Sequence, residues 1–338
     1  MRIRHSKGCE LCQLGAKMVL FVTGLCPRGC YYCPLSDHRR GNDIVYANER
    51  LVRNDKDVLE EARSMDALGT GITGGEPLLK LGRVQHYIRL LKSEFGPAHH
   101  IHLYSALAPS EHTLEALTRA GMNEIRLHPP IEEWDDFSLS PYCTALEYAR
   151  KLGLQVGVEI PAIKPVPAII KALKEIGGFL NLNELEFSET NYDAMIVRGF
   201  VPLNSGYAAI GSREIALGNV SDGVPVYFCS SSSKDRVQLR ERLKRKARRM
   251  ARPFQEVTED GTLVFGVLES VPSFEQLKGI SSNQYEVVNG EFLTSRQLAL
   301  QLVKNNPQLT EKARVVETYP NGMVVETIPL RDCLKQKT

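Results

Sequence analysis

The chain has 338 residues, enough for one large domain and a smaller one. Its 43% hydrophobic and 24% charged composition is that of an ordinary globular protein, and a formal net charge of +2 does not mark the whole chain as a nucleic-acid binder. No stretch approaches eighteen uninterrupted apolar residues, and the N-terminus MRIRHSKGCELCQLGAKMVL lacks an apolar run followed by a small-residue cleavage site, so a membrane span and a secretory leader are not expected and a cytoplasmic location is.

In chain order, the first feature is an extension over residues 1–16 in which His5, Cys9 and Cys12 form H-x3-C-x2-C. Five of the eight cysteines, Cys9, Cys12, Cys26, Cys30 and Cys33, fall in the first tenth of the chain, a crowding that suits metal binding better than a disulfide framework. Two cysteines are not a site. Cys9 and Cys12 are therefore either free thiols or, joined by Cys229 after folding, ligands of an auxiliary iron–sulfur cluster or a zinc ion. An apolar strand is expected at 17–23. Directly after it stands Leu25-Cys26-Pro27-Arg28-Gly29-Cys30-Tyr31-Tyr32-Cys33-Pro34. Three thiolates at this spacing suit an iron–sulfur cluster with one iron left open, whereas a structural zinc needs four closed ligands.

A helix is expected at 55–68 and a second strand at 70–73, followed at once by Thr73-Gly74-Gly75-Glu76-Pro77. The third strand, 99–104, opens with His99, His100 and His102, read as structural or solvent-facing. Helix 110–121 has Ser110 as its N-cap and Gly121 as its stop. Further strands are expected at 123–128, 154–160 and 183–188, and Cys143 lies between them on a helical run as a core residue. Strand–helix alternation implies a parallel sheet, and six units are too few for an eightfold barrel. The expected class is α/β, a partial (β/α)6 barrel with a small C-terminal α+β module.

Three of these strands alternate in polarity. Arg126 and His128 share one face; so do Gln155, Gly157 and Glu159, and again Glu184, Glu186 and Ser188. With the apolar sets packed on outer helices, the polar sets point inward and line a cavity; the alternative is that some of these are edge strands with a wet face. Glu184, Glu186, Glu189 and Asn191 crowd the end of the sixth strand, where they bind substrate or tune a proton, or else cap the next helix or form salt bridges with Arg198. After a glycine-rich stretch, residues 234–252 hold ten Lys/Arg against Asp235 and Glu241. Such a helix is either a solvated face or a site for a polyanion. The remainder reads as hairpins at 259–261 and 321–322 around the helix SRQLALQLVKNN, with Cys333 a spectator in the tail. The expected divisions are 1–16, 17–233, 234–252 and 253–338.

The CxxxCxxC segment with Tyr32 before its last cysteine, together with the Gly74-Gly75-Glu76-Pro77 motif after the second strand, resembles the radical S-adenosylmethionine (SAM) superfamily over residues 17–190. Within it, the chain looks most like an uncharacterised, mainly archaeal group related to pyruvate formate-lyase activating enzymes. The resemblance implies a [4Fe–4S] cluster on Cys26, Cys30 and Cys33, with SAM held by the backbone of Tyr32 and by Gly74, Gly75, Glu76 and Ser105. It also implies a SAM carboxylate contact from Arg126 or His128, with Glu159 a weaker candidate near adenine. A ferredoxin or flavodoxin would supply one electron, and hydrogen abstraction from substrate would follow. RNA bound through 234–252 is the slightly favoured substrate. The alternatives are a protein substrate for a glycyl-radical activase, a small molecule, and a metal-binding RNA-interaction protein without chemistry. The intact glycine motif argues against the last of these.

Overall fold

The computed structural model describes residues 6–204, 206–219 and 223–335; His5 and the side chain of Cys333 lie outside the described residues. The chain divides into two compact units, Met1–Arg63 with Ala67–Gln238, and Ser64–Asp66 with Leu239–Thr338.

The first unit opens with α1 (Lys7–Gln13), whose N-cap Ser6 accepts from Cys9 N. There follow β1 (Lys17–Phe21), a hairpin of β2 (Tyr46–Ala47) and β3 (Arg50–Leu51), α2 (Asp55–Ser64), β4 (Gly69–Thr73), α3 (Leu81–Phe95), β5 (His100–Ser105), α4 (Glu111–Ala120) and β6 (Glu124–Leu127). The unit continues with α5 (Pro141–Lys151), β7 (Gln155–Pro161), α6 (Pro167–Ile176), β8 (Phe179–Asn183), α7 (Tyr192–Ile196), α8 (Ser212–Gly218), β9 (Val226–Cys229) and the single turn α9 (Ser231–Ser233). The helices begin and end where local chemistry dictates. Ser110 accepts from Thr113 N at the start of α4, and Gly121 takes the left-handed conformation that stops it, at φ 112°.

The sheet order is β3-β2-β1-β4-β5-β6-β7-β8-β9, parallel from β1 through β9, with β2 and β3 added antiparallel at the β1 edge. This is the expected partial barrel. Two elements differ from expectation. The sixth parallel strand is Phe179–Asn183 rather than 183–188, and a seventh, β9, pairs with it. Residues 179–188 hold two alternating runs out of phase, Leu180/Leu182 and then Leu185/Phe187. The parallel ladder uses the first, where Leu180 and Leu182 are fully buried.

The outer faces are apolar, with Ile72, Ile101, Leu103, Ile125, Leu127, Val158 and Leu182 buried completely. Each such side chain contributes about 1.5–3 kcal/mol by leaving water. The inner faces are polar, as the alternation implied, but only their upper part borders a cavity. Lower down, the interior is filled by a buried charge network. Arg126 donates to Glu124 Oε1 at 2.5 Å and to Glu159 Oε2 at 2.7 Å. Lys17 Nζ contacts His100 Nδ1 at 3.2 Å and His102 Nδ1 at 2.5 Å. Helix α1 closes this end, with Gly8 N donating to Glu124 Oε2 at 3.0 Å. Two cations thus face two carboxylates, the arrangement a desolvated charge requires. His99, His100 and His102 are all buried, so the solvent-facing reading of them fails and the structural one stands. Cys143 is buried on α5 as expected.

The Lys17 ammonium gives this network a pH signature. Burial, partly offset by Cys12 and Glu124, pulls Lys17 from 10.5 down to about 8. Between those values the unfolded chain holds a proton that the folded chain has released, so the contribution of Lys17 to stability rises with pH. The unfolding free energy of the native chain should gain about 3 kcal/mol on that of Lys17→Met between pH 8 and 10.5. Denaturant titrations across that range check this; a constant difference would mean that the ammonium is not desolvated.

The second unit contains α10 (Arg240–Met250), β10 (Glu256–Val257), β11 (Leu263–Leu268), β12 (Tyr285–Val288), β13 (Glu291–Thr294), α11 (Arg296–Asn305), β14 (Ala313–Thr318), β15 (Val324–Pro329) and α12 (Leu330–Lys335). The antiparallel order is β12-β13-β11-β14-β15, with β10 also on β11. The expected turns at 259–261 and 321–322 are present, and Asn289-Gly290, both at positive φ, makes a third hairpin that the reading missed. One sheet face packs Phe292, Leu302, Val303 and Val315 under α11. Gly266 is required there, because a Cβ would lie 2.4 Å from that of Ala299.

Candidate active site

Strand β1 delivers the cysteine loop to the C-terminal ends of the parallel strands, where ligand sites of such sheets lie. The loop is tied from several sides. Gly24 N donates to Asn42 O at 2.8 Å and Cys33 N to Cys30 O at 3.1 Å. Arg40 Nη2 donates to Cys33 O at 3.0 Å, and the buried Asn191 Nδ2 to Tyr32 O at 3.1 Å. Cys26, Cys30 and Cys33 are free, and all three line one open cavity of about 1100 Å³. Burial pushes the Cys26 and Cys30 thiols up, opposed at Cys26 by a hydrogen bond from Arg28 N. Three unpaired thiols on one loop, facing a shared cavity with space beside them, fit a [4Fe–4S] cluster with one open iron.

The glycine motif closes against this loop. Gly75 N donates to Thr23 O at 2.6 Å and Glu76 N to Leu25 O at 2.7 Å. A Cβ on Gly74 would lie 2.6 Å from Thr23 O, and one on Gly75 2.4 Å from Leu25 O, so no larger residue fits at either position. Both glycines line the cavity. Glu76 does not. It is fully buried, and its carboxylate accepts from Leu78 N at 2.9 Å, Ala106 N at 2.6 Å, Leu107 N at 3.2 Å and Ser105 Oγ at 3.0 Å. Burial pushes its carboxyl up, and those donors oppose the shift. Glu76 therefore braces the loops after β4 and β5 instead of reaching a ligand. Ser105 borders the cavity, but its hydroxyl donates to Glu76 and Leu107 O, which removes it as a free ribose contact.

Both expected carboxylate contacts are likewise committed. Arg126 lies in the buried network below the cavity. His128 borders the cavity, and its Nδ1–H donates to Glu159 O at 2.8 Å, which leaves Nε2 to accept from Tyr32 OH at 2.9 Å. Burial keeps this imidazole neutral by lowering its pKa. His128 is thus a strut between the cysteine loop and β7. The weaker candidate, Glu159, does border the cavity, and its carboxyl group accepts from Arg126, Asn181 and Asn183. Asn181 and Asn183 were missed, although the alternation FLNLN places them on one face.

Of the three candidate catalytic carboxylates, Glu189 is exposed and does not line the cavity. Glu184 accepts from Ser231 N at 2.7 Å and Ser231 Oγ at 2.6 Å, which fixes the start of α9. Glu186 pairs with Lys234 Nζ at 2.8 Å, and both line the cavity. Lys234 opens a π-helical turn, Lys234–Leu239, a feature frequent at functional sites. The continuous basic helix expected at 234–252 is therefore interrupted, and α10 begins only at Arg240. Lys244 is buried and paired with Glu241 at 3.3 Å and Glu259 at 3.1 Å, so it is not available to a polyanion.

Cys9, Cys12 and Cys229 lie near enough to influence one another's thiols, but their sulfurs are not all within 4.8 Å of one another. The Cys9 sulfur accepts from Asn181 Nδ2 at 3.2 Å and Arg126 Nη2 at 3.5 Å, and Cys229 accepts from Gln238 Nε2 at 3.4 Å. Among the described residues, the only three metal-ligating side chains with donor atoms within 4.8 Å of one another are His100, His102 and Glu124, and the Lys17 ammonium already fills that space.

Residues 20–166 match the family described as the radical SAM superfamily. A protein of Methanocaldococcus jannaschii, named provisionally as a glycyl-radical enzyme activating enzyme, is 35% identical over 347 aligned residues, covering 96% of this chain and 92% of that one. Among solved structures, SuiB of Streptococcus suis bound to S-adenosylmethionine is 14% identical with a TM-score of 0.43, covering 64% of this chain and 50% of its own. Methylornithine synthase is also 14% identical, with a TM-score of 0.39 and coverage of 67% and 79%. The chain thus spans about half the length of SuiB. Among the described residues, no helix is long and apolar enough to cross a membrane.

Proposed function

The chain belongs to the radical SAM superfamily, and on that premise we propose that it acts as an activase, drawing a hydrogen atom from a glycyl residue of a partner protein. The chain is an enzyme whose cofactors are a [4Fe–4S] cluster, on Cys26, Cys30 and Cys33, and SAM. Cys26, Cys30 and Cys33 would hold the cluster, which when bound would supply the electron for reductive cleavage of SAM and so the means of hydrogen abstraction. The protein's own part is to hold the motifs together and keep the ligands oriented: Glu76 braces two loops, His128 and Asn191 fix the cysteine loop, and Gly74 and Gly75 allow close approach. We assign SAM to this rim because Gly74, Gly75 and the cysteines share it.

The observation that carries the substrate reading is the open cavity of about 1100 Å³, whose lining runs from the cysteine loop to Ala194 and Arg198 at the exposed apolar segment around α7. The paired Glu186 and Lys234 line the same space. Residues 185–210 support the same reading. Leu185, Phe187, Met195 and Ala209 pack on Tyr32 of the cysteine loop, while Ile196, Val197, Val201, Tyr207 and Ile210 expose large apolar surfaces. Exposed apolar side chains in such density mark contact with another protein. The name given to the Methanocaldococcus relative agrees with this reading. The RNA reading is weaker, since Lys244 is spent within the fold.

The test is isotopic. A glycyl-radical enzyme from the same genome, labelled with deuterated glycine, is incubated anaerobically with the reconstituted chain, SAM and dithionite. Deuterium should enter 5′-deoxyadenosine, and a glycyl radical should appear by electron paramagnetic resonance. Unlabelled 5′-deoxyadenosine here, with deuterium entering instead from deuterated cellular RNA, would overturn the activase reading in favour of RNA.

A further inference from the structure

The acids of the cavity wall are all engaged. Glu186 pairs with Lys234, Glu159 with Arg126, and Glu184 holds the start of α9. The cations of the wall are not. We propose that Arg198 is a specificity residue that binds an Asp or Glu carboxylate of the substrate polypeptide, next to the reacting glycine. This rests on the reading of the cavity as a site for a protein segment.

Arg198 is set apart from the other cations by the element that carries it. Among the described residues, the Lys and Arg side chains lining the cavity are Arg28, Arg39, Arg40, Arg198 and Lys234. Lys234 is neutralised by Glu186 at 2.8 Å. Arg28 donates to Ala106 O at 3.4 Å, on the loop that Glu76 braces, and Arg40 donates to the Cys33 carbonyl at 3.0 Å. Arg39 lies over the Tyr46 ring at 4.3 Å and the Phe21 ring at 5.4 Å. These three are tied to the cysteine loop and to the rim assigned to SAM, where thiolates and the SAM carboxylate call for positive charge. Arg198 instead follows α7, in the segment whose Ile196, Val197 and Val201 are exposed.

The Arg198 guanidinium is held without being neutralised. Its Nη1 donates to Ala194 O at 2.8 Å. Its Cζ lies 4.5 Å from the centre of the Tyr31 ring, and Phe200 stacks on Tyr31 at 6.0 Å. Among the described residues, no carboxylate forms an ion pair with it, and Glu186, one of the acids expected to do so, is taken by Lys234. A ring and a carbonyl fix the guanidinium plane but leave its charge in place. Its remaining N–H groups suit a planar acceptor with two oxygens, which on a peptide is a carboxylate. The position gives that contact a purpose. Apolar surface holds a partner without fixing its register, whereas one directional charge pair selects the residue that enters the cavity.

The experiment uses the reconstituted chain with SAM and without reductant. The probes are three capped nonapeptides, identical except that the central glycine stands between two Glu, two Gln or two Lys residues. Titration calorimetry should show the Glu peptide bound about tenfold more tightly than the Gln peptide, and the Lys peptide more weakly still. Arg198→Gln should erase the preference for Glu over Gln, Arg198→Lys should restore part of it, and Arg198→Glu should favour the Lys peptide. SAM affinity and the melting temperature should not change in these variants. Raising salt to about 0.5 M should shrink the native preference. A native chain without the preference, or a preference that survives Arg198→Gln, overturns the assignment. A loss of SAM affinity in Arg198→Gln overturns it as well, in favour of the SAM carboxylate as the partner of Arg198. The activase reading is judged separately, by adding dithionite to the Glu peptide deuterated at glycine. No deuterium in 5′-deoxyadenosine, with the preference intact, overturns that reading and leaves the carboxylate site standing.

Discussion

Arg126→Leu should destabilise the first unit by about 3–5 kcal/mol, enough to leave much of the chain unfolded. The guanidinium is 2% exposed and serves Glu124 Oε1, Glu159 Oε2, Tyr104 OH, Ser6 Oγ and the Cys9 sulfur at once. Removing it strands the fully buried Glu124 carboxylate with Lys17 as its nearby cation and leaves Glu159, at the cavity edge, to Asn181 and Asn183. Arg126→Lys keeps the charge but cannot span both acids, since an ammonium lacks the planar fork. It should therefore recover only part of the loss. Urea unfolding followed by circular dichroism checks both variants. The result also separates two roles. A residue that binds the SAM carboxylate would change SAM affinity and leave stability alone, whereas the network requires the stability loss to dominate.

Glu76→Ala should abolish SAM binding and cost about 3–5 kcal/mol of stability, although Glu76 does not border the cavity. Its carboxylate satisfies three backbone N–H groups and the Ser105 hydroxyl. Alanine leaves Leu78 N and Ala106 N without this acceptor, while the Ser105 hydroxyl keeps Leu107 O and Leu107 N keeps Ser105 Oγ, and it frees the loops that follow β4 and β5. Glu76→Gln keeps the shape and one acceptor oxygen but turns an NH2 toward N–H donors. It should fall between, with a loss of about 1–3 kcal/mol. Calorimetric SAM titration together with thermal melts tests this. Normal SAM affinity in a folded Glu76→Ala chain would show that the brace is dispensable.

The sequence made the barrel legible where polarity alternates cleanly. β6 and β7 were found with their inward faces, because Ile125/Leu127 and Val156/Val158 keep one phase against Arg126 and Glu159. β8 was misplaced because its alternation slips phase at Asn183-Glu184, and either half could have paired. β9 was not found because VYFC is short and follows a glycine-rich stretch without a clear period. The cysteines and glycines were legible for a different reason. Their spacing reflects constraints that only thiolates and the absence of a Cβ can meet. The roles of Glu76, Ser105, Arg126 and His128 were not legible. A sequence displays a polar side chain but not whether its hydrogen-bonding capacity is already taken, and in all four the fold itself takes it. Glu184 and Glu186 read either as substrate-binding acids or as helix caps and salt-bridge partners; in the structure Glu184 anchors a helix start and Glu186 is half of an ion pair, with Lys234 in place of the expected Arg198.

The central claim is that Cys26, Cys30 and Cys33 hold a [4Fe–4S] cluster that cleaves SAM. Anaerobic reconstitution with iron and sulfide, followed by SAM and dithionite, tests it most directly through the iron count and the 5′-deoxyadenosine formed. The account predicts about four irons per chain together with 5′-deoxyadenosine, both lost when Cys26, Cys30 and Cys33 are replaced by alanine. Zinc in place of iron after anaerobic preparation, with no cleavage of SAM, would contradict it.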